Sequence, residues 1–149
     1  MKVLLQRVKS AKVEVDEKTV GQIGQGLLLL SGFGEIDRGD SESKLRKASD
    51  KLLNLRVFSN PEGKLDYSVK DIDGEVLVVP QFTLYGKSLK GRRPDFTDAL
   101  DPAMAAAAFN QFRSALAEGL SKEIPAGIFG ADMQVSLVND GPLTLMFEF

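Results

Sequence analysis

Over the first quarter of the chain, apolar residues alternate with polar ones or gather in short runs, which is the signature of strands. Met1 to Val8 predicts an apolar strand, and Ala11 to Asp16 alternates with period two, with Lys9-Ser10 as a tight connection between them. Thr19 to Ile23 continues the pattern, and Gly26 to Phe33 is an apolar run suited to a strand buried on both faces. Gly34 to Gly39 is a loop, after which Asp40 or Ser41 caps a helix. Its apolar positions Leu45, Ala48, Leu52 and Leu55 recur at helical spacing, opposite Lys44, Lys47 and Lys51. Arg56 to Ser59 is short and strand-like, and Asn60 to Gly63 is a turn. Glu75 to Val79 is a buried strand interrupted at Pro80, which has no N–H for a ladder.

Tyr85 to Phe96 shows no period and reads as an ordered surface loop. Asp101-Pro102 is a cap followed by proline at the first helical position. It opens a helix with Met104, Ala108, Phe112, Ala115 and Leu116 inward, ending between Gly119 and Pro125. Met133 to Leu137 and Leu143 to Phe149 alternate as two closing strands. With no repeat and no linker, two helices and roughly eight to ten strands predict one mixed α/β domain over residues 1–149. Its sheet is mostly antiparallel, or an open barrel, with the helices packed against it.

Composition narrows the chemistry. Apolar residues at 43% and charged residues at 27% describe a chain able to build a core without disulfides or metal. No segment approaches the apolar length of a membrane span or signal peptide, so the expected location is cytoplasmic, with no membrane partner. There is no cysteine and no histidine, which excludes thiol nucleophiles, Cys/His zinc sites and any imidazole base for a serine or threonine nucleophile. Proton transfers in an enzyme of this composition fall to Asp, Glu, Lys, Tyr, water or the substrate itself. A net charge of −2 gives no overall sign of nucleic-acid binding, so such a role requires a local patch.

Four segments carry candidate chemistry. Gly86-Lys87-Ser88 ends like a phosphate-binding loop but has Gln81 where that loop needs its first glycine. Lys87, Lys90, Arg92 and Arg93 form a basic patch, which is either a solvated loop or a surface for a phosphate backbone. Gln81-Phe82-Thr83 follows the break at Pro80, so its backbone N–H groups and the Thr83 hydroxyl either support a kink or face a cleft. Without histidine, Thr83 is better suited to positioning or oxyanion donation than to attack. Asn139-Asp140-Gly141-Pro142 is by itself a hairpin turn, but its proline removes the N–H that would restart the ladder, and X-Pro is the common site of a cis bond.

Together, Gln6-Arg7-Val8, Gln81 to Leu84, Gly91 to Phe96, Phe129 to Met133 and Asn139 to Thr144 resemble the D-aminoacyl-tRNA deacylase family, in the same order along the whole chain. The resemblance implies a homodimer with active sites at the subunit interface, no metal and no cofactor. It implies that the carbonyls of a Gly141-cis-Pro142 unit, buttressed by Arg7, hold the substrate α-amino group in the partner's site and leave no space for an L side chain. Glycyl-tRNA is then also a substrate. Gln81, Phe82 and Thr83 correspond to the catalytic wall that receives the 3′-terminal adenosine and scissile ester, with the Phe82 N–H facing the developing oxyanion. Phe129, Ala131 and Met133 correspond to the opposite wall. The terminal ribose 2′-hydroxyl assists catalysis in this family. Serine is usual where this chain has Pro80, and a related branch with proline there is associated with a trans Gly-Pro and relaxed handedness. A different reading is a non-catalytic RNA-binding dimer that uses the basic patch.

Overall fold

In the computed structural model, which describes residues 1–39, 42–88 and 91–149, the first two expected strands are one: β1 runs unbroken over Lys2–Val15. Val3 and Leu5 face one core cluster, whereas Val8, Ala11 and Val13 face the other. The alternation therefore slips by one residue across Lys9-Ser10, where pairing shifts register. A bulge of this kind reads in sequence as a strand end while the ladder continues.

β1 is the centre of the sheet. On one edge its N-terminal half pairs antiparallel with β3 (Gly26–Gly32) and its C-terminal half with β2 (Lys18–Ile23). Its other edge pairs antiparallel with β7 (Gln134–Glu148) along nearly its whole length. β3 pairs in parallel with β6 (Glu75–Pro80), and both strands are buried runs, as a parallel pair covered on two faces requires. The two-residue β4 (Phe58–Ser59) and β5 (Leu65–Tyr67) form a separate ribbon. The described residues thus hold seven strands, fewer than expected. The curled, half-barrel sheet encloses Val8, Ala11, Val13, Ile23, Leu28, Leu77 and Val79.

Two helices cover the other face. α1 (Glu42–Leu53) buries Leu45, Ala48 and Leu52 as expected, but ends at Leu53, so Leu55 lies beyond it. The caps expected at Asp40 or Ser41 lie outside the described residues. α2 (Pro102–Leu120) begins as expected, with the Asp101 carboxylate accepting from the Ala103 and Met104 N–H groups. Its buried face is Ala105, Phe109, Phe112, Ala115 and Leu116, while Met104 is exposed and Ala108 only half-buried. Both helices pack on Val3, Leu5, Leu27, Leu29, Val76 and Val78. No helix among the described residues is long and apolar enough to cross a membrane.

Candidate functional site

The segment expected to be a hairpin turn turns nothing back. β7 pairs with β1 on both sides of it: Gln6 faces Thr144 and Val8 faces Asn139, so Arg7 alone stands opposite Asp140 to Leu143. Gly141-Pro142 is therefore the crest of a bulge in one long strand, and its peptide bond is cis. Asp-Gly gives the same local signal in a turn and in a bulge; only the common partner strand separates them.

The bulge is held from two directions. Asn139 closes its mouth, with its side-chain amide donating to the carbonyls of Arg7 (2.9 Å) and Leu143 (3.2 Å). Arg7, only 8% exposed, holds its back: the guanidinium donates to the carbonyls of Asp140 (3.0 Å), Gly141 (3.2 Å) and Val57. The Asp140 carboxylate also lies 3.0 Å from Arg7 Nε. Alternation places the Arg7 side chain on the helix-covered face with Val3 and Leu5, where its guanidinium stands 6.0 Å from the Phe58 ring. Among the described residues, chain neighbours aside, nothing lies within 4 Å of the position a Cβ on Gly141 would take.

A second constellation forms at the end of β6. The Gln81 N–H makes the last sheet bond, to Ser31 O (2.8 Å), and Phe82–Tyr85 then turns as a 3-10 helix. The first amides of such a turn have no acceptor within it, and those of Phe82 and Thr83 make no hydrogen bond among the described residues. The Thr83 hydroxyl accepts from the Gln81 side-chain amide. Phe82 is more than half exposed and meets Phe96 edge-to-face at 5.2 Å.

The turn is anchored by its last residue. Tyr85 OH donates to the buried carboxylate of Asp37 (2.8 Å), which also accepts from the Gly34 N–H (2.8 Å) and pairs with the Met1 ammonium. Burial alone would push the Asp37 carboxyl up; the hydrogen bonds from these three donors and the ammonium's charge outweigh it and hold it below its ordinary range. A Cβ on Gly34 would stand 2.1 Å from the Tyr85 ring, so only glycine admits this approach.

Residues 125–127 extend the sheet beside β6, through Val78 N–H to Pro125 O (3.1 Å) and Gly127 N–H to Val78 O (2.9 Å). Met133 and Pro80 both close on Gly127, where a Cβ would meet the Met133 sulfur and Pro80 Cδ, so Met133 lies beside the end of β6. Ala131 follows a turn with Gly130 at φ +78°, its N–H donating to Ile128 O (3.2 Å). Phe129 turns instead toward α2, 6.4 Å from Phe109. In the basic loop Lys87 is ion-paired with Asp98, and its backbone pairs with that of Asp95 (2.8 and 2.7 Å). Arg92 and Arg93 are exposed without an ion pair among the described residues, and Lys90 lies outside them.

One chain does not bring the two constellations together. Ser31, beside Pro80, is aligned with Val3, four residues from Arg7 on β1. The bulge and the end of β6 are thus separated by three strand spacings and about four residues, on the order of 19 Å along the sheet. Asn139 straps the bulge across the β1 seam, a role that the turn signal of Asn139 to Pro142 did not show, because it arises from pairing with β1.

A family model described as D-Tyr-tRNA(Tyr) deacylase matches residues 4–148. Among solved structures, one named "c-Myc DNA Unwinding Element Binding Protein" is similar at 39% identity, covering 100% of this chain and 99% of that one, with a TM-score of 0.89. Another, described as a "probable eukaryotic D-amino acid tRNA deacylase", has the same fold at 23% identity, covering 98% and 97% of the two chains, with a TM-score of 0.85. Matched over nearly its whole length, this chain belongs to the D-Tyr-tRNA(Tyr) deacylase family, hydrolases of the ester bond that joins an amino acid to tRNA.

Proposed function

We propose that this chain, as a homodimer, hydrolyses D-aminoacyl-tRNA to free amino acid and tRNA, and cleaves glycyl-tRNA mischarged on the alanine tRNA. The observation that carries the reading is the rigid Gly141-Pro142 bulge lying far along the sheet from Gln81 to Thr83 in its own chain. A second copy that places its bulge over the end of β6 would complete a site that one chain leaves open. The outer positions of β7, including Val138 (53% exposed) and Met146 (51%), give such a copy apolar surface to cover.

In this reading the Gly141 and Pro142 carbonyls accept the substrate α-amino group, with Arg7 fixing their direction. An L side chain would collide with the bulge, a D side chain points away, and glycine has none to exclude. The ester carbonyl lies against the Phe82 and Thr83 amides at the start of the Phe82–Tyr85 turn, where the Phe82 N–H meets the developing oxyanion and Gln81 orients Thr83. Met133, Ala131 and Phe129 bound the other side of the terminal adenosine. The vicinal ribose 2′-hydroxyl assists the attack of water, which suits a chain without histidine. Arg92 and Arg93, with Lys87, face the tRNA backbone.

Purified protein is expected to release D-tyrosine from D-tyrosyl-tRNA, spare the L-form, and cleave a substrate ending in 2′-deoxyadenosine far more slowly. Intact D-tyrosyl-tRNA that is nevertheless shifted on a gel would establish the non-catalytic RNA-binding reading instead. Thr83→Ala retains activity if Thr83 only positions; complete loss in that variant, with an acyl-enzyme trapped on Thr83 of the wild type, would make it a covalent nucleophile.

A further inference from the structure

We infer that Asp140 is the counter-ion that allows the Gly141 carbonyl to accept a cation, and so makes the site selective for esters with a free α-ammonium. The inference rests on the deacylase reading and deepens it. A carbonyl oxygen has two lone pairs, and one at Gly141 is already directed at the Arg7 guanidinium, 3.2 Å away. An ammonium on the second lone pair, at ordinary hydrogen-bond distance, would stand about 5–6 Å from that guanidinium. Arg7 is almost fully buried, so water screens little of its charge on the protein side. Two like charges so close oppose binding, and a bulge held by arginine alone would repel the group it is shaped to receive.

Asp140 removes that conflict. Its carboxylate is 3.0 Å from Arg7 Nε, its side chain is 31% exposed toward solvent, and it immediately precedes Gly141. No other ion pair to Arg7 occurs among the described residues. The Arg7–Asp140 pair is neutral as a whole, so the guanidinium can fix the carbonyl while the local field still admits a cation. An ester whose amine is acylated or replaced by hydroxyl carries no such charge, and for it Asp140 is irrelevant.

The test compares D-tyrosyl-tRNA with its α-hydroxy analogue, in which the amine is replaced by a neutral hydroxyl, for wild type, Asp140→Asn and Asp140→Glu. Asp140→Asn is expected to raise KM for the ammonium substrate tenfold or more, with kcat changed less than twofold. For the hydroxy analogue kcat/KM should stay within twofold of wild type, and Asp140→Glu should restore the ammonium substrate. Equal loss on both substrates would reduce Asp140 to structural support for Arg7 and overturn the inference, as would no loss on either. Wild-type protein that leaves D-tyrosyl-tRNA intact would refute the deacylase reading, and the role of Asp140 with it; normal wild-type turnover with unselective loss in Asp140→Asn would refute the role of Asp140 alone.

Discussion

Arg7→Ala tests the bulge most directly. The substitution removes charge-assisted hydrogen bonds to three carbonyls, Val57, Asp140 and Gly141, and leaves the Asp140 carboxylate without its partner. A hydrogen bond to a charged group contributes about 1.5–3 kcal/mol, and the one to Val57 is buried, so it falls within that range. The bonds to the bulge are half-buried and contribute less each, and the ion pair, partly open to solvent, adds no more than about 1 kcal/mol. The loss is about 4 kcal/mol, which for a chain of 149 residues lowers Tm by roughly 8–16 °C. Arg7→Lys keeps the charge but not the fork, reaching either Val57 or the bulge, and should lose about half as much. Thermal unfolding followed by circular dichroism, with deacylation measured on the same preparations, reads both effects. An Arg7→Ala protein that melts within 2 °C of wild type, a fraction of the smallest expected drop, would refute the assignment of the bulge's rigidity to Arg7.

Gly141→Ala should leave Tm unchanged within about 2 °C, because open space surrounds the new Cβ. Its cleavage of D-aminoacyl-tRNA should nonetheless fall at least tenfold; retained turnover would show that the space above Gly141 is not used by substrate or partner. Asp37 has a depressed folded-state pKa, so the stability it contributes is present above its unfolded value near 4 and is lost as pH falls through the folded value. Asp37→Asn should therefore lower Tm at neutral pH and flatten the fall of Tm below about pH 4, which a series of melts at stepped pH would check. Arg92→Ala and Arg93→Ala should each reduce the slope of log affinity for tRNA against log salt by about one. Lys87→Ala, whose charge Asp98 already neutralises, should change it less in the same filter-binding titration.

How far the sequence foretold the fold depended on whether a signal was local. Asp101-Pro102 set the start of α2, and the apolar runs 26–33 and 75–79 gave two buried strands, though not their parallel pairing, because caps and buried strands are written in neighbouring residues. Lys9-Ser10 and Asn139 to Pro142 read as connections because a phase slip within one strand and a reversal between two look alike until register is known. α2 is rich in alanine, so its periodicity is weak, and the sequence set Met104 and Ala108 inward where the structure buries Ala105 and Phe109. Leu65–Tyr67 is wholly exposed and offers no alternation to detect. Of the candidate site, Gln81 to Thr83 and Gly141-Pro142 were visible as motifs. The Asp37–Tyr85 anchor and the Asn139 strap join residues far apart in sequence and were not.

The long β1–β7 pair also orders events during synthesis. β1 leaves the ribosome before its partner strands, and one edge is soon taken by β2 and β3, which follow within a few residues. The other edge must wait for β7, which follows β6 and α2, so a row of strand hydrogen-bonding groups stays open while the elements between β1 and β7 are translated. Closing that edge is the entropically expensive step, and the bulge can form only with it, since Arg7 and the segment it holds lie on opposite sides of the seam. A chain that has made β1 to α2 thus has no bulge until β7 pairs with β1, and the Gly141-Pro142 element takes its shape only as that seam closes.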